Sequence, residues 1–311
     1  MQAPWRESTV AAMFWGAMLV PSMAGMSAFA QGFTAAQLAE QADALESRGD
    51  FAKAGLNYFE ILDRFPGTQY SRDAYSRLAD LSALFIAGRV PDSEVNSFEL
   101  SLPHWSDAKS AESRYVLLGF SYSKAAALRQ AGMYAAASAA YEDTAALSLQ
   151  FIESYPNHPL QLFAHRHLYE AAYKLGSENL ENLDAQLKSW IAADRSTRSH
   201  VARIFHALYL ERIEGNLSES LIELASFVDE SRTGWLQQIV EDPTLYDSLK
   251  SWYLFYAGHA NAFIGDMRRS QGYFQEISLS NSAEFALQDL AAYYEAFVEE
   301  ALSLSNPSER M

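Results

Sequence analysis

Residues 49–54 read GDFAKA, and three later stretches repeat the pattern: GMYAAA at 132–137, GNLSES at 215–220 and GDMRRS at 265–270. Each has a glycine, an apolar residue two positions later and a small residue three positions after that. The ninth and twelfth positions after the glycine agree as well: Tyr58, Tyr141, Leu224 and Phe274, then Ile61, Thr144, Phe227 and Ile277. Glycine ends a helix readily because it takes the left-handed conformation without penalty. Positions two, five, nine and twelve share one stripe of a following helix. The pattern predicts helical hairpins that bend at Gly49, Gly132, Gly215 and Gly265.

The spacing of the glycines predicts further hairpins between these four. The first three hinge glycines are 83 residues apart in each case, which is too long for one hairpin and suits two. Gly88 and Gly176 fall inside the two gaps. We therefore expect about six hairpins and a closing helix at 283–304. The stretches 90–110 and 230–243 are richer in Pro, Ser and Asp and predict irregular connections.

The chain resembles the tetratricopeptide-repeat family over roughly residues 34 to 304. The glycine hinges, the later aromatic residue and the closing Phe65-Pro66 and Tyr155-Pro156 carry the resemblance. The stretches 59–81 and 151–176 are similar to exported bacterial members, including those that serve outer-membrane barrel assembly and the Tol–Pal system. The family's fold implies a right-handed α-solenoid with a concave face that binds extended peptides. The chain has no cysteine, so it lacks the lipid-bearing residue of some exported members.

The N-terminus has the features of a secretory signal. No charged residue occurs between Ser8 and Ala39, Val10–Val20 is an apolar run, and Ala28-Phe29-Ala30 precedes Gln31. A charged start, a short apolar middle and an A-x-A end are typical of a cleaved export signal. We expect residues 1–30 to be this signal and 31–311 to be a single helical repeat domain in the periplasm. The alternative is an uncleaved anchor, although Pro21 interrupts that segment.

The composition excludes several classes of function. Lys and Arg total 23 against 39 Asp and Glu, and the net charge is −16. Nucleic-acid phosphates and an acidic membrane surface would repel such a chain. The absence of cysteine removes disulfides, thiolate metal sites and thiol nucleophiles. No phosphate-binding, dinucleotide-binding or common hydrolase motif is present, and we expect no enzyme activity and no cofactor.

Two further groups of residues could in principle carry chemistry. His165 and His167, with His158 nearby, could form a metal site, but surface or half-buried histidines are the simpler interpretation. Paired acids on predicted exposed turns indicate solvated faces rather than acid–base catalysis. These pairs are Glu178 with Glu181 and Glu299 with Glu300.

The resemblance implies that the first helix of each hairpin lines the concave face. Counting back from the hinge glycines places eight residues on that face: Arg166, Tyr173, Phe205, Tyr209, Arg212, Trp252, Phe255 and His259. Such a set offers flat aromatic area and Arg groups that match carboxylates. Aromatic residues at helical spacing are also typical of a core. Burial of the four large aromatic side chains would therefore rule out the groove; these are Phe205, Tyr209, Trp252 and Phe255.

The sequence therefore predicts an exported, non-enzymatic scaffold that binds a protein or peptide in its concave groove, in the context of cell-envelope assembly. One alternative is a helper of cell-wall or exopolysaccharide assembly that stacks glycans in the groove. A less favoured alternative is an undescribed enzyme.

Overall fold

The computed structural model describes residues 33–86, 89–193, 195–228, 234–241, 247–280 and 285–305. Helices are the only regular secondary structure in these ranges, which confirms the predicted all-α fold. They are α1 (Ala35–Glu46), α2 (Phe51–Arg64), α3 (Gln69–Ile86), α4 (Asp92–Ser101), α5 (Ala111–Gln130), α6 (Tyr134–Ser154), α7 (Gln161–Leu175), α8 (Ser177–Ala193), α9 (Thr197–Arg212), α10 (Leu217–Val228), α11 (Gly234–Glu241), α12 (Asp247–Phe263), α13 (Met267–Ser278) and α14 (Phe285–Ser305). The predicted signal at 1–30 and the predicted hinge at Gly88 lie outside the described residues.

The four hinge glycines lie between paired helices and have left-handed backbone conformations. Their φ angles are 79° at Gly49, 75° at Gly132, 68° at Gly215 and 88° at Gly265. The turns share a backbone hydrogen bond that reaches back across the helix end. One example is the bond that the Asp50 N–H donates to the Leu45 carbonyl at 3.0 Å. This bond pairs a carbonyl of the last helical turn that would otherwise lack a partner.

The repeated positions after each glycine have distinct environments. The fifth, ninth and twelfth positions are buried in all four hairpins. The small fifth residues are Ala54, Ala137, Ser220 and Ser270, each at most 1% exposed. The second position differs from the prediction, because it is half-buried or exposed in every hairpin. It lies in the first turn of the second helix, beside the bend, and so does not join the buried stripe.

The predicted helix ends agree with the structure to within two residues. α2 ends at Arg64 and α6 at Ser154, each immediately before an aromatic-proline pair. Proline cannot continue a helix because it lacks an N–H and its ring clashes with the preceding turn. The closing helix, predicted at 283–304, is α14.

The chain divides into two compact units, and the division falls within α6, between Phe151 and Ile152. In the first unit, α2 packs against α1, α3, α4 and α5. The Phe98 ring of α4 lies on the backbone of Gly55 in α2. The stretch 90–110, where the sequence predicted a loop or an irregular hairpin, therefore contains a helix, α4, that packs on α2.

The second unit is built from α7 to α14 together with the end of α6. Helices adjacent in the chain pack together, as in α7 with α8, α9 with α10 and α12 with α13. The first helices of neighbouring hairpins also meet, since α7 contacts α9 and α12 contacts α14. The short helix α11 lies within the stretch 230–243, where an irregular connection was predicted. The number of repeats, their handedness and the single domain over 31–311 stay predictions.

Candidate functional site

The four large aromatic residues predicted to line a groove are core residues. Phe205 and Tyr209 of α9 and Trp252 and Phe255 of α12 are only 1–7% exposed. The prediction that they form an open binding surface is therefore wrong, and the core interpretation of these aromatic residues holds.

Packing between hairpins is the physical reason for this burial. Phe205 contacts Tyr169 of α7, with 5.9 Å between ring centroids. Phe255 contacts Phe274 of α13 at 6.0 Å and Tyr294 of α14 at 5.9 Å. These rings fill the layers between neighbouring helices and are covered by them.

His259 belongs to the same aromatic layer. Its ring centroid lies 4.1 Å from that of Tyr294 and 4.6 Å from that of Phe255. Burial lowers the pKa of His259 to about 4, because the charged imidazolium would lose its hydration. At neutral pH it is an uncharged ring that packs against aromatic neighbours.

The remaining three predicted residues reach the surface of the second unit. Tyr173, near the end of α7, is 56% exposed, and Arg212 at the end of α9 is exposed. Arg166 is half-exposed, and its Nε donates to Glu170 Oε1 at 3.0 Å. Its guanidinium carbon lies 4.9 Å from the ring centroid of Trp252, in cation–π geometry.

The structure adds three tyrosines that the sequence analysis did not select: Tyr169 of α7, Tyr256 of α12 and Tyr294 of α14. Burial raises the pKa of each hydroxyl, to about 12 for Tyr169. The positive charge of Arg212 opposes that rise at all three. The charge of Arg212, at the end of α9, therefore acts on tyrosines from three other helices.

We call this surface the tyrosine–arginine face. Its members are Arg166, Tyr169, Tyr173, Arg212, Tyr256 and Tyr294. Buried rings connect its tyrosines. Phe205 is in ring contact with both Tyr169 and Tyr256, and Phe255 is in contact with both Tyr256 and Tyr294.

One polar group on this face is buried without a partner. Tyr169 is 7% exposed, and its hydroxyl oxygen has no hydrogen-bond partner among the described residues. An unsatisfied buried hydroxyl costs about 1–3 kcal/mol. Because it is covered by neighbouring atoms, a bound donor or acceptor could satisfy it only if those atoms shift on binding.

The charge of this face differs from that of the whole chain. Arg166, Arg212 and Lys174 lie at or beside it, and Lys174 Nζ is 5.7 Å from the Tyr173 ring centroid. The named members of the face carry two positive charges and no negative one, although Glu170 and Glu211 also act on its tyrosines. The net charge of the whole chain is −16.

The other sequence candidates do not assemble into a chemical site. His165 is 1% exposed, and its Nδ1 lies 2.8 Å from the Gln161 carbonyl oxygen. His158 Nδ1 accepts from the Leu160 N–H at 3.2 Å. Within the described ranges, no group of three or more His, Asp or Glu side chains is arranged to hold a metal ion. The acidic pairs Glu178 with Glu181 and Glu299 with Glu300 are exposed.

Comparisons of the chain with protein-family models, with curated proteins and with solved structures found no match. Among the described helices, none combines the length and the apolar character needed to cross a membrane.

Proposed function

We propose that this chain is an exported, non-enzymatic helical scaffold that binds an extended segment of another protein on its tyrosine–arginine face. The observation that carries the proposal is that the charge of Arg212 acts on Tyr169, Tyr256 and Tyr294, whose rings are connected through Phe205 and Phe255, while Tyr173 of α7 presents an exposed ring. Each of these side chains comes from a helix that is held by packing, so the surface is formed before a partner arrives. Preorganisation of this kind reduces the ordering cost of binding.

The chemistry of the face suits a peptide. Tyrosine provides a rigid ring for apolar contact and a hydroxyl for hydrogen bonding. An arginine fork matches a carboxylate with two parallel hydrogen bonds. The Tyr169 hydroxyl would add a polar contact only if the atoms that cover it shift on binding.

The glycan alternative has less support. Sugars bind proteins by stacking on an open aromatic face. Trp252 is 7% exposed, and the Arg166 guanidinium lies over its ring. A protein segment is therefore the better match to the groups that remain accessible.

Export is proposed from the N-terminal sequence alone. The apolar run at 10–20 and the Ala28-Phe29-Ala30 motif support a cleaved signal. N-terminal sequencing of the protein purified from the cell envelope tests this, and we expect the mature chain to begin near Gln31.

Site-specific photo-crosslinking in the native host tests the binding proposal. A benzophenone amino acid replaces Tyr173, and in a matched control it replaces Tyr134, which is similarly exposed at the α5–α6 turn of the first unit. We expect position 173 to form a discrete protein adduct that position 134 does not form. Mass spectrometry of the adduct would identify the partner segment.

A second variant ties the adduct to the arginine. Arg212→Glu, combined with the crosslinker at position 173, should abolish the adduct while circular dichroism stays unchanged. Equal adducts at positions 173 and 134, or an adduct that survives Arg212→Glu, would contradict the proposed face.

A further inference from the structure

The closing helix α14 presents an apolar stripe that no described residue covers. Tyr293, Phe297 and Leu304 are 57–65% exposed. Their spacings of four and seven residues place them on one face of the helix. A different side of the helix, about 120° around its axis, carries the buried residues Leu287, Ala291 and Val298. α14 thus has two apolar stripes: one packs against its own unit, and the other faces outward.

These three side chains are not part of the buried core of the second unit. The solvent-facing surface of a helical stack needs polar residues for solubility. Three large apolar side chains on that face work against solubility, and aligned exposed apolar groups mark interaction surfaces. The stripe spans about 17 Å at 1.5 Å per residue, or three helical turns. That length suits a second helix laid alongside.

The charges of α14 specify the kind of helix. Asp289, Glu295, Glu299 and Glu300 lie on α14, and the helix has no Lys, Arg or His. Glu300 falls between Phe297 and Leu304 along the stripe itself, and it is exposed. A partner helix with basic residues beside its apolar stripe complements this pattern.

The same charges disfavour a second copy of the chain. Two α14 helices packed through their stripes would bring Asp289 and Glu300 of one helix against the same residues of the other, without a counter-charge on either helix. Like charges across an interface suppress pairing. The net charge of −16 adds to this repulsion.

We infer that the outward stripe of α14 binds a basic amphipathic helix of another protein. This surface adjoins the tyrosine–arginine face at Tyr293, whose ring centroid lies 5.4 Å from that of Tyr294. Phe297 and Leu304 are not part of that face, so the inference does not depend on the proposed peptide-binding function. In this mode of binding, the apolar face of the partner helix packs against the stripe of α14, and the flanking charges select the partner.

The test uses synthetic peptides of about 18 residues, which is long enough for a stable helix. One peptide has Leu along one face and Lys elsewhere, and the matched peptide has the same Leu residues with Glu in place of Lys. Binding of each to the full chain is measured by fluorescence anisotropy at physiological salt. We expect the Lys peptide to bind at least about tenfold more tightly than the Glu peptide.

Variants separate the stripe from general attraction to an acidic protein. Phe297→Ala with Leu304→Ala keeps the charge and should weaken binding of the Lys peptide by about tenfold or more. Leu100→Ala, at an 83% exposed leucine of α4 in the first unit, should leave binding unchanged. Glu299→Gln with Glu300→Gln keeps the apolar stripe and should weaken binding in a salt-dependent way.

Three results would overturn the inference: no binding of the Lys peptide, equal binding of the two peptides, or binding that the Phe297 and Leu304 double variant does not change. Self-association that this double variant abolishes, seen in sedimentation without peptide, would assign the stripe to a second copy instead. None of these variants alters Tyr173 or Arg212, so the crosslink at position 173 reports on the proposed function independently.

Discussion

The ring of Phe274 lies directly on the backbone of Gly258, so close that a Cβ atom at position 258 would be 2.8 Å from Phe274 Cε1. The two residues belong to the paired helices α12 and α13. Ser270 strengthens the same contact, since its hydroxyl donates to the Gly258 carbonyl at 2.8 Å. The close approach of the two helices depends on the missing side chain at Gly258.

Gly258→Ala should destabilise the fold despite the higher helix propensity of alanine. The Phe274 ring is fully buried and packs against Phe255, His259 and Tyr294, so it cannot easily move aside. Overpacking of this kind costs about 1–3 kcal/mol. Urea denaturation should show a lower free energy of unfolding.

Gly272→Ala is the matched control within the same hairpin. Gly272 lies on the exposed side of α13, and a Cβ there would meet no atom within 4 Å. Alanine should raise the free energy of unfolding by about 0.5–1 kcal/mol. If both variants were equally stabilised, the close contact between Gly258 and Phe274 would be refuted.

The bend at Gly215 supports a second prediction. Its φ of 68° lies in the left-handed region, and a Cβ would have open space around it. Backbone conformation is therefore the only cost of a substitution, and it amounts to about 1–2 kcal/mol for alanine. Gly215→Asn should cost less than Gly215→Ala, because asparagine tolerates this region better. Equal losses in thermal denaturation would contradict this account.

The hairpins were predictable because the sequence repeats them. Gly215 and Gly265 are followed at the same distances by a serine and by large apolar residues, and local rules of helix ending and spacing apply to each. The buried residues at positions five, nine and twelve follow from those rules alone.

The binding surface was predictable only in part. On α12, the aromatic residues Trp252, Phe255 and Tyr256 all lie within two turns, so helical spacing does not decide which of them faces the solvent. That depends on α14, which covers Phe255 and leaves Tyr256 and Tyr294 partly accessible. Contacts between residues so far apart in the chain leave no local pattern in the sequence. The signal was stronger on α7, where Arg166 and Tyr173 are seven residues apart, lie on the same face of the helix and both reach the surface.

The buried histidine His165 predicts loss of stability in acid. Burial lowers its pKa to about 3 from an ordinary value of 6.5, so the unfolded chain binds a proton that the folded chain excludes. Its contribution is complete above about pH 6.5 and falls as the pH drops toward 3, by up to about 1.4 kcal/mol per pH unit. Urea denaturation between pH 7 and pH 4 measures this slope.

His165→Gln removes the one proton that the unfolded chain takes up at this position. The free energy of unfolding should therefore depend less steeply on pH, whatever the effect of the variant on stability at pH 7. His104→Gln is the control, because His104 is exposed. It should leave the slope unchanged. A slope that is the same in both variants and in the original protein would show that His165 does not titrate as described.

The Tyr169 hydroxyl allows the fold and the proposed function to be tested against each other. Because it is buried without a described partner, Tyr169→Phe should raise the free energy of unfolding by about 1 kcal/mol. If the hydroxyl serves a bound segment, the same change should reduce the crosslink from position 173.

Tyr253→Phe is the control, since the Tyr253 hydroxyl donates to the Pro159 carbonyl at 3.0 Å. That variant should lose about 1 kcal/mol and keep the crosslink. A Tyr169→Phe protein that is less stable, and that crosslinks as before, would mean that the hydroxyl serves the fold and that the partner does not contact it.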